Sequence, residues 1–352
     1  MSTRSRWATL VVLVAAALAI GVTAAFSKPY PIPAGYNGVE SKLPREYPVP
    51  AKKAGTQCTF GFQSPIAANE SLGWWQKGFT QQAKALGCKV IAVDDQLSPD
   101  KQVSNMQQLL AQGVDVIVFY PIDPKATVPV LKQAKSKGVP VLAVDGTFGS
   151  PKATAPYLPY ITSQVWQGRD IQAYLQVQAM KKAKPGANVG LIGIGAPVPA
   201  LKYLQARETF WAKKAGLHVI GNQDNPSDDV TGGEKAANGL LQRYSNINAV
   251  IGYNDPSALG AYTAARGSGK QLTIVGLNGT SDGISGVKSG RLVATVQTDA
   301  VGFGREQAYA AYDLVTKQHL PLPKIIVRPS ILVTKANLAK TPSYAAQVEA
   351  IK

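Results

Sequence analysis

At 352 residues, with 45% apolar and 16% charged residues, the chain has a globular composition and room for two modest domains, which excludes a long disordered tract. Its formal net charge is +16. The lysines are spread over helix faces (Lys132, Lys135, Lys137; Lys181, Lys182, Lys184; Lys213, Lys214), so they read as a solvated basic surface and not as a nucleic-acid footprint.

Arg4 and Arg6 precede an apolar run from Trp7 to Phe26, with the small residues Thr23, Ala24 and Ala25 at a cleavage point. Residues 1–26 are therefore an export signal, or, because ~20 apolar residues suffice to cross a bilayer, an N-terminal membrane anchor. No cysteine follows the run, so the usual lipid-attachment signal is missing. Either reading puts the body of the protein outside the cytoplasm. Residues 27–55 carry Pro29, Pro31, Pro33, Pro44, Pro48 and Pro50 without amphipathic periodicity, which predicts an extended proline-rich linker.

From Thr56 onward short apolar runs alternate with helical patterns. Strands are expected at Cys58–Phe62, Lys89–Val93, Val114–Phe119 and Val139–Val144. Between them, helices at Leu72–Leu86, Lys101–Gln112 and Lys125–Lys137 stop at Gly87, Gly113 and Gly138. Continuous Val/Ile runs mark strands covered on both faces, hence a parallel sheet between helices. The rhythm repeats with strands at Val189–Ile194, Leu217–Ile220, Ala249–Tyr253 and Thr273–Leu277, and helices at Leu201–Ala215, Gly233–Tyr244 and Ser257–Gly267. Two such series predict an α/β protein of two doubly wound, Rossmann-like lobes. Segments Tyr157–Ser163, Leu292–Thr298 and Ile325–Val333 also look like strands and leave room for several crossings between lobes.

Cys58 and Cys88 are the only cysteines, and each opens a predicted strand. If those strands are neighbours the thiols are level and form a disulfide, which suits an oxidising compartment; two buried thiols are the alternative. No CxxC and no histidine cluster points to a metal.

Ligands of open parallel sheets bind beyond the carboxyl ends of the strands. The residues there are Gln63, Asp94 and Asp95, Tyr120, Asp145, Asn222, Asn254 and Asp255, Asn278 and Thr298. Asp123 and Asp255 precede prolines and read as helix caps, and Asp94 and Asp95 as solvated loop residues. Asp145, Asn254 and Asn278 are better ligand candidates, since Gly146, Gly252, Gly276 and Gly279 beside them clear space. Aromatic rings supply stacking surface for a sugar; of the adjacent Trp74 and Trp75, one belongs in the core, and Trp74 is taken for the cleft, with Trp166 and Trp211 as further candidates. GLIGIG has the wrong spacing for a nucleotide loop, there is no G-x-S-x-G, and no carboxylate pair stands out, so neither an enzyme nor a cofactor is expected.

The stretches FGFQ, GWWQKGF, VDVIVFYPIDP, GVPVLAVDG, NAVIGYNDPSALGA and TIVGLNGTSDGISGVKSGRLVATV resemble the type I periplasmic sugar-binding proteins, the ribose-binding group in particular, over residues 56–335. The resemblance implies a three-strand hinge near Ser163–Gln164, Thr298–Asp299 and Val327–Arg328. The lobes are then 56–163 with 299–327, and 164–298 with 328–352. It also implies ligand contacts by Asn69, by Tyr120 (where ribose binders have asparagine), by Asp145 and Arg207, by Asn254, by Asn278 (replacing an aspartate) and by Thr298 or Gln297 at the hinge. Gly146 stands where that group has an arginine. Losing charge-assisted hydrogen bonds of ~1.5–3 kcal/mol each argues for another monosaccharide, a polyol or a similar polar solute in place of ribose. The expected mechanism is capture by hinge closure and delivery to an ABC permease by a monomer. The alternative is an anchored receptor ectodomain that reports occupancy to a sensor.

Overall fold

The computed structural model describes residues 28–146 and 158–351; residues 1–26, expected from the sequence to be an export signal or anchor, lie outside them. The first sheet runs β11-β5-β4-β3-β1-β2, all neighbours parallel, from β1 (Thr59–Ser64), β2 (Lys89–Asp94), β3 (Val116–Phe119), β4 (Val141–Val144), β5 (Ser163–Trp166) and β11 (Ile325–Val327). The second runs β12-β10-β9-β8-β6-β7, from β6 (Asn188–Ile194), β7 (His218–Asn225), β8 (Ala249–Gly252), β9 (Thr273–Asn278), β10 (Ala294–Gln297) and β12 (Ile331–Val333), with only β12 antiparallel to its neighbour. The central strands β3, β4 and β8 are buried along their whole length, as their continuously apolar sequences require. The two-lobed α/β expectation therefore holds.

The first lobe is covered by α1 (Glu70–Leu86), α2 (Pro99–Ala111), α3 (Pro124–Ser136) and α9 (Ala300–Thr316). The second carries α4 (Arg169–Ala183), α5 (Pro199–Ala215), α6 (Val230–Arg243), α7 (Asp255–Gly267) and α8 (Ser281–Ser289). Close approach of α1 and α9 depends on two glycines: a Cβ on Gly78 would lie 2.5 Å from the Val301 carbonyl, and one on Gly304 2.3 Å from that of Trp75. Trp75 is fully buried against Phe62, Tyr120 and Phe303, so it is the core member of the tryptophan pair.

The chain passes between the sheets after β5, after β10 and between β11 and β12. The first passage falls at Gln167–Gly168, a few residues beyond Ser163–Gln164, because β5 stays paired to β4 as far as Val165 and to β11 as far as Trp166. Ahead of it Leu158–Tyr160 forms a 3-10 turn in place of a strand. The short C-terminal helix α10 (Tyr344–Glu349) returns to α1 and α9 of the first lobe, where the sequence reading keeps residues 328–352 with the second.

Cys58 and Cys88 form a disulfide, placed level by the Thr59↔Lys89 register of β1 and β2. The proline-rich segment is not a free linker. Residues 30–53 are strapped over the hinge side of both lobes. Tyr30 donates to Gln297, and Tyr36 donates to Asp170 of α4. The Pro44 carbonyl accepts from Val327, while Tyr47 donates through its backbone N–H to Glu306 of α9. Glu40, fully buried, accepts from the Trp166 indole and from the backbone N–H groups of Asp170 and Ile171, so its carboxyl group caps the first turn of α4.

Candidate functional site

The carboxyl ends of the strands of both sheets face a shared cleft. It encloses a cavity of about 60 Å³ whose polar walls include Asn69, Tyr120, Gln167, Arg169, Asp228 and Asn254. Apolar residues, among them Leu72, Ile194, Val198 and Leu201, complete it.

On the first-lobe side Asp145 directly follows β4 with φ +51°, a left-handed conformation that aspartate tolerates better than most residues. Its carboxylate is buried and accepts from the Gln167 backbone N–H (2.8 Å), the Gln167 side chain (2.9 Å) and Arg169 Nε (2.8 Å). Arg169 Nη2 lies 2.6 Å from the same carboxylate and donates to the Tyr120 hydroxyl at 3.0 Å, while Nη1 donates to Gln172 at 2.8 Å. Tyr120 in turn donates to Asp145 at 3.2 Å, and burial raises its pKa above the usual phenol range, so it stays a neutral donor and acceptor. Asp145 is thus held behind the wall, and Tyr120, Gln167 and Arg169 line the cavity in front of it.

On the second-lobe side the turn after β7 places Asp228, φ +59°, at the cleft. Its Oδ1 accepts from the Tyr253 hydroxyl and from Asn254 Nδ2 (2.7 Å), and its Oδ2 accepts from Asn69 Nδ2 of the first lobe at 3.0 Å. Burial first, then the neighbouring charge of Asp229, raises its pKa above the ordinary carboxylate value against the pull of these donors. Asn69 and Asn254 also N-cap α1 and α7 through their carbonyl oxygens, which fixes both amides at the rim. Beside them Glu70 of α1 accepts from the backbone N–H and hydroxyl of Ser281, a second bridge between lobes.

The cavity brings together Asn69, Tyr120, Asn254 and Asn278, with Asp145 directly behind them. Arg207 lies elsewhere: its Nε pairs with Asp170 at 2.7 Å and its guanidinium stacks 3.8 Å from the Phe210 ring, on the packed face between α4 and α5. Gln63 is sealed under α2, donating to Asp95 and to the Gln102 carbonyl. Gln297 and Thr298 are buried at the hinge, holding Tyr30 and the Pro342 carbonyl, and Ser71 and Tyr344, respectively. Trp74 lines a separate groove with Tyr344, its ring 5.9 Å from the tyrosine's. Trp166 binds Glu40 and Trp211 binds Asp170, so neither reaches the cleft.

Two expected roles are corrected. Asp95 is fully buried under three side-chain amides and not solvated. Asp255 is not the cap of α7, since Asn254 is; its carboxylate instead braces Thr280 and Thr295. Gly276 clears space for that brace rather than for a solute, because a Cβ there would sit 2.2 Å from Asp255 Oδ1. Asp123 is the cap of α3, as the Asp-Pro step predicts. Sequence reasoning missed Arg169, Gln167 and Asp228. The first two follow β5 in the hinge passage, and Asp228 sits in the turn Asn225-Pro226-Ser227-Asp228-Asp229, which reads as ordinary turn chemistry.

Two α/β lobes around a polar interlobe cavity define a protein of the periplasmic-binding-protein architecture. The family model for the periplasmic binding protein domain matches residues 60–319, and the chain belongs to that family. It is similar to the ribose import binding protein of Bacillus subtilis (strain 168), 29% identical over 68% of this chain and 76% of the relative. It is also similar to the xylitol-binding protein of Mycolicibacterium smegmatis, 25% identical over 75% and 73%. Among solved structures, an ABC transporter solute-binding protein from Bacillus halodurans C-125 with bound myo-inositol superposes with a TM-score of 0.72 at 22% identity, covering 83% of this chain and 98% of that one.

Proposed function

We propose that this chain is an extracytoplasmic solute-binding protein that captures a small hydroxylated solute between its lobes and delivers it, as a monomer, to an ABC permease. One observation carries the reading: Asn69 of the first lobe and Asp228 of the second hydrogen-bond at 3.0 Å across a cavity lined from both sides by amides, a phenol and a guanidinium. Such groups match hydroxyls, and the apolar residues beside them match a carbon skeleton. The relatives are named for ribose import and xylitol binding, which favours a monosaccharide or polyol and a binding role over turnover. Solute contacts are assigned to Asn69, Tyr120, Gln167, Arg169, Asp228, Asn254 and Asn278, with Asp145 positioning Arg169.

Capture follows from differential affinity. A solute that touches both walls binds the closed state better than the open one and shifts the equilibrium toward closure by that difference. Isothermal titration against pentoses, hexoses, cyclitols and linear polyols tests the proposal. A saturable heat with one or a few members is expected, and no binding at millimolar concentration across the panel rejects it.

A further inference from the structure

The charges around the cavity do not balance. Arg169 is the cation in its wall, and its guanidinium is committed: Nε and Nη2 to Asp145, Nη2 also to Tyr120, and Nη1 to Gln172. That pair is neutral as a unit. Asp228, on the opposite wall, receives only neutral donors, from Tyr253, Asn254 and Asn69, and among the described residues it enters no ion pair. Asp229 beside it deepens the negative potential. Two donors converge on Oδ1, whereas among the described residues Oδ2 accepts from Asn69 alone, which leaves Oδ2 capacity for another donor at the cavity. Beside it the cavity wall is apolar, with Ile194, Val198 and Leu201.

Building on the solute-binding reading, we infer that the preferred solute carries one positive charge: a small hydroxylated primary amine, its ammonium bound by the Asp228 carboxylate and its hydroxyls by Asn254, Gln167 and Tyr120. An ammonium supplies a charged donor where the protein provides neutral ones, and charge-assisted hydrogen bonds are the stronger kind. An anionic solute of the same shape would face Asp228 unpaired and is excluded by the same geometry.

The test is titration with matched pairs that differ only in the amine: an amino sugar and its parent sugar, an aminocyclitol and the cyclitol, 2-amino-1,3-propanediol and glycerol. In at least one pair the amine should bind tenfold or more tightly than its hydroxyl counterpart, and the corresponding sugar acid should bind more weakly than either. Asp228→Asn should bring the pair to within about twofold of each other, while Asn69→Ser should weaken both members alike. A neutral member that binds as well as its amine in every pair overturns the inference and leaves the solute-binding reading standing. An amine preference that survives Asp228→Asn also overturns it. Absence of binding by any member of any pair defeats both. The wild-type comparison decides the matter even if Asp228→Asn does not fold.

Discussion

Asn69 and Asp228 lie 159 residues apart in the chain and meet across the cleft at 3.0 Å, one from each lobe. Because Asn69 also caps α1, substitution by alanine would mix two effects. Serine keeps a capping oxygen but is too short to reach Asp228. Asn69→Ser is expected to weaken solute affinity about tenfold, or ~1.4 kcal/mol, with little change in the unfolding midpoint. Small-angle scattering of the solute-free variant should show a larger radius of gyration than wild type, and an unchanged radius would speak against a latch.

The Asp145–Arg169 pair is buried on both sides, with side-chain exposures of 0% and 5%. Removing the cation leaves a buried carboxylate with neutral partners only, and such losses cost ~3–5 kcal/mol. Arg169→Met should therefore lower stability by that order in urea unfolding and also abolish solute binding. Adding Asp145→Asn, which tolerates the left-handed backbone, should restore much of the stability but not the affinity.

Stability should fall as pH rises toward neutrality. Burial pushes Glu40 up to about 7, Asp255 up to about 7 and Asp95 up to about 6. In the unfolded chain these carboxyls titrate near ~4. Between ~4 and 7 the folded protein therefore holds more protons than the unfolded one, and each such group lowers stability as pH increases, with no further change above its folded value. For Glu40 the swing is on the order of 3 kcal/mol. The urea midpoint should be higher at pH 5 than at pH 7.5, and Glu40→Gln should flatten part of that slope. A midpoint that climbs over this window would contradict the burial of these three groups.

The Cys58–Cys88 disulfide closes a loop with a sequence separation of 30. In the chain-entropy description a loop of that size is worth ~3.5 kcal/mol. The double substitution Cys58→Ala/Cys88→Ala should lower unfolding stability by about that amount. Solute affinity should be nearly unchanged, since both residues lie at the strand ends opposite the cleft.

The architecture was legible because strand and helix runs carry their own periodicity: Val116–Phe119 and Ala249–Gly252 are apolar throughout, and Asp123 announces α3 by its Asp-Pro step. The strap was not. Tyr36, Glu40 and Tyr47 find partners 116 to 259 residues away, and proline content with no periodicity hides such contacts. At the site, Tyr120, Asn254 and Asn278 could be read from strand ends, and Asn69 from the family resemblance. Asp228 could not, since a turn aspartate looks the same whether it faces solvent or a cleft. Arg207 was placed at the cleft by resemblance, but Asp170 and Phe210 hold it at the packed face between α4 and α5. The arginine at the cavity, Arg169, comes instead from the hinge passage.

A crystal structure with the tightest-binding member of the titration panel tests the central idea most directly. The solute should lie between the lobes, within hydrogen-bond distance of Asp228 and Asn254 on one side and of Gln167 or Arg169 on the other. A solute seated in the groove beside Trp74 and Tyr344, or anywhere outside the interlobe cavity, would contradict it.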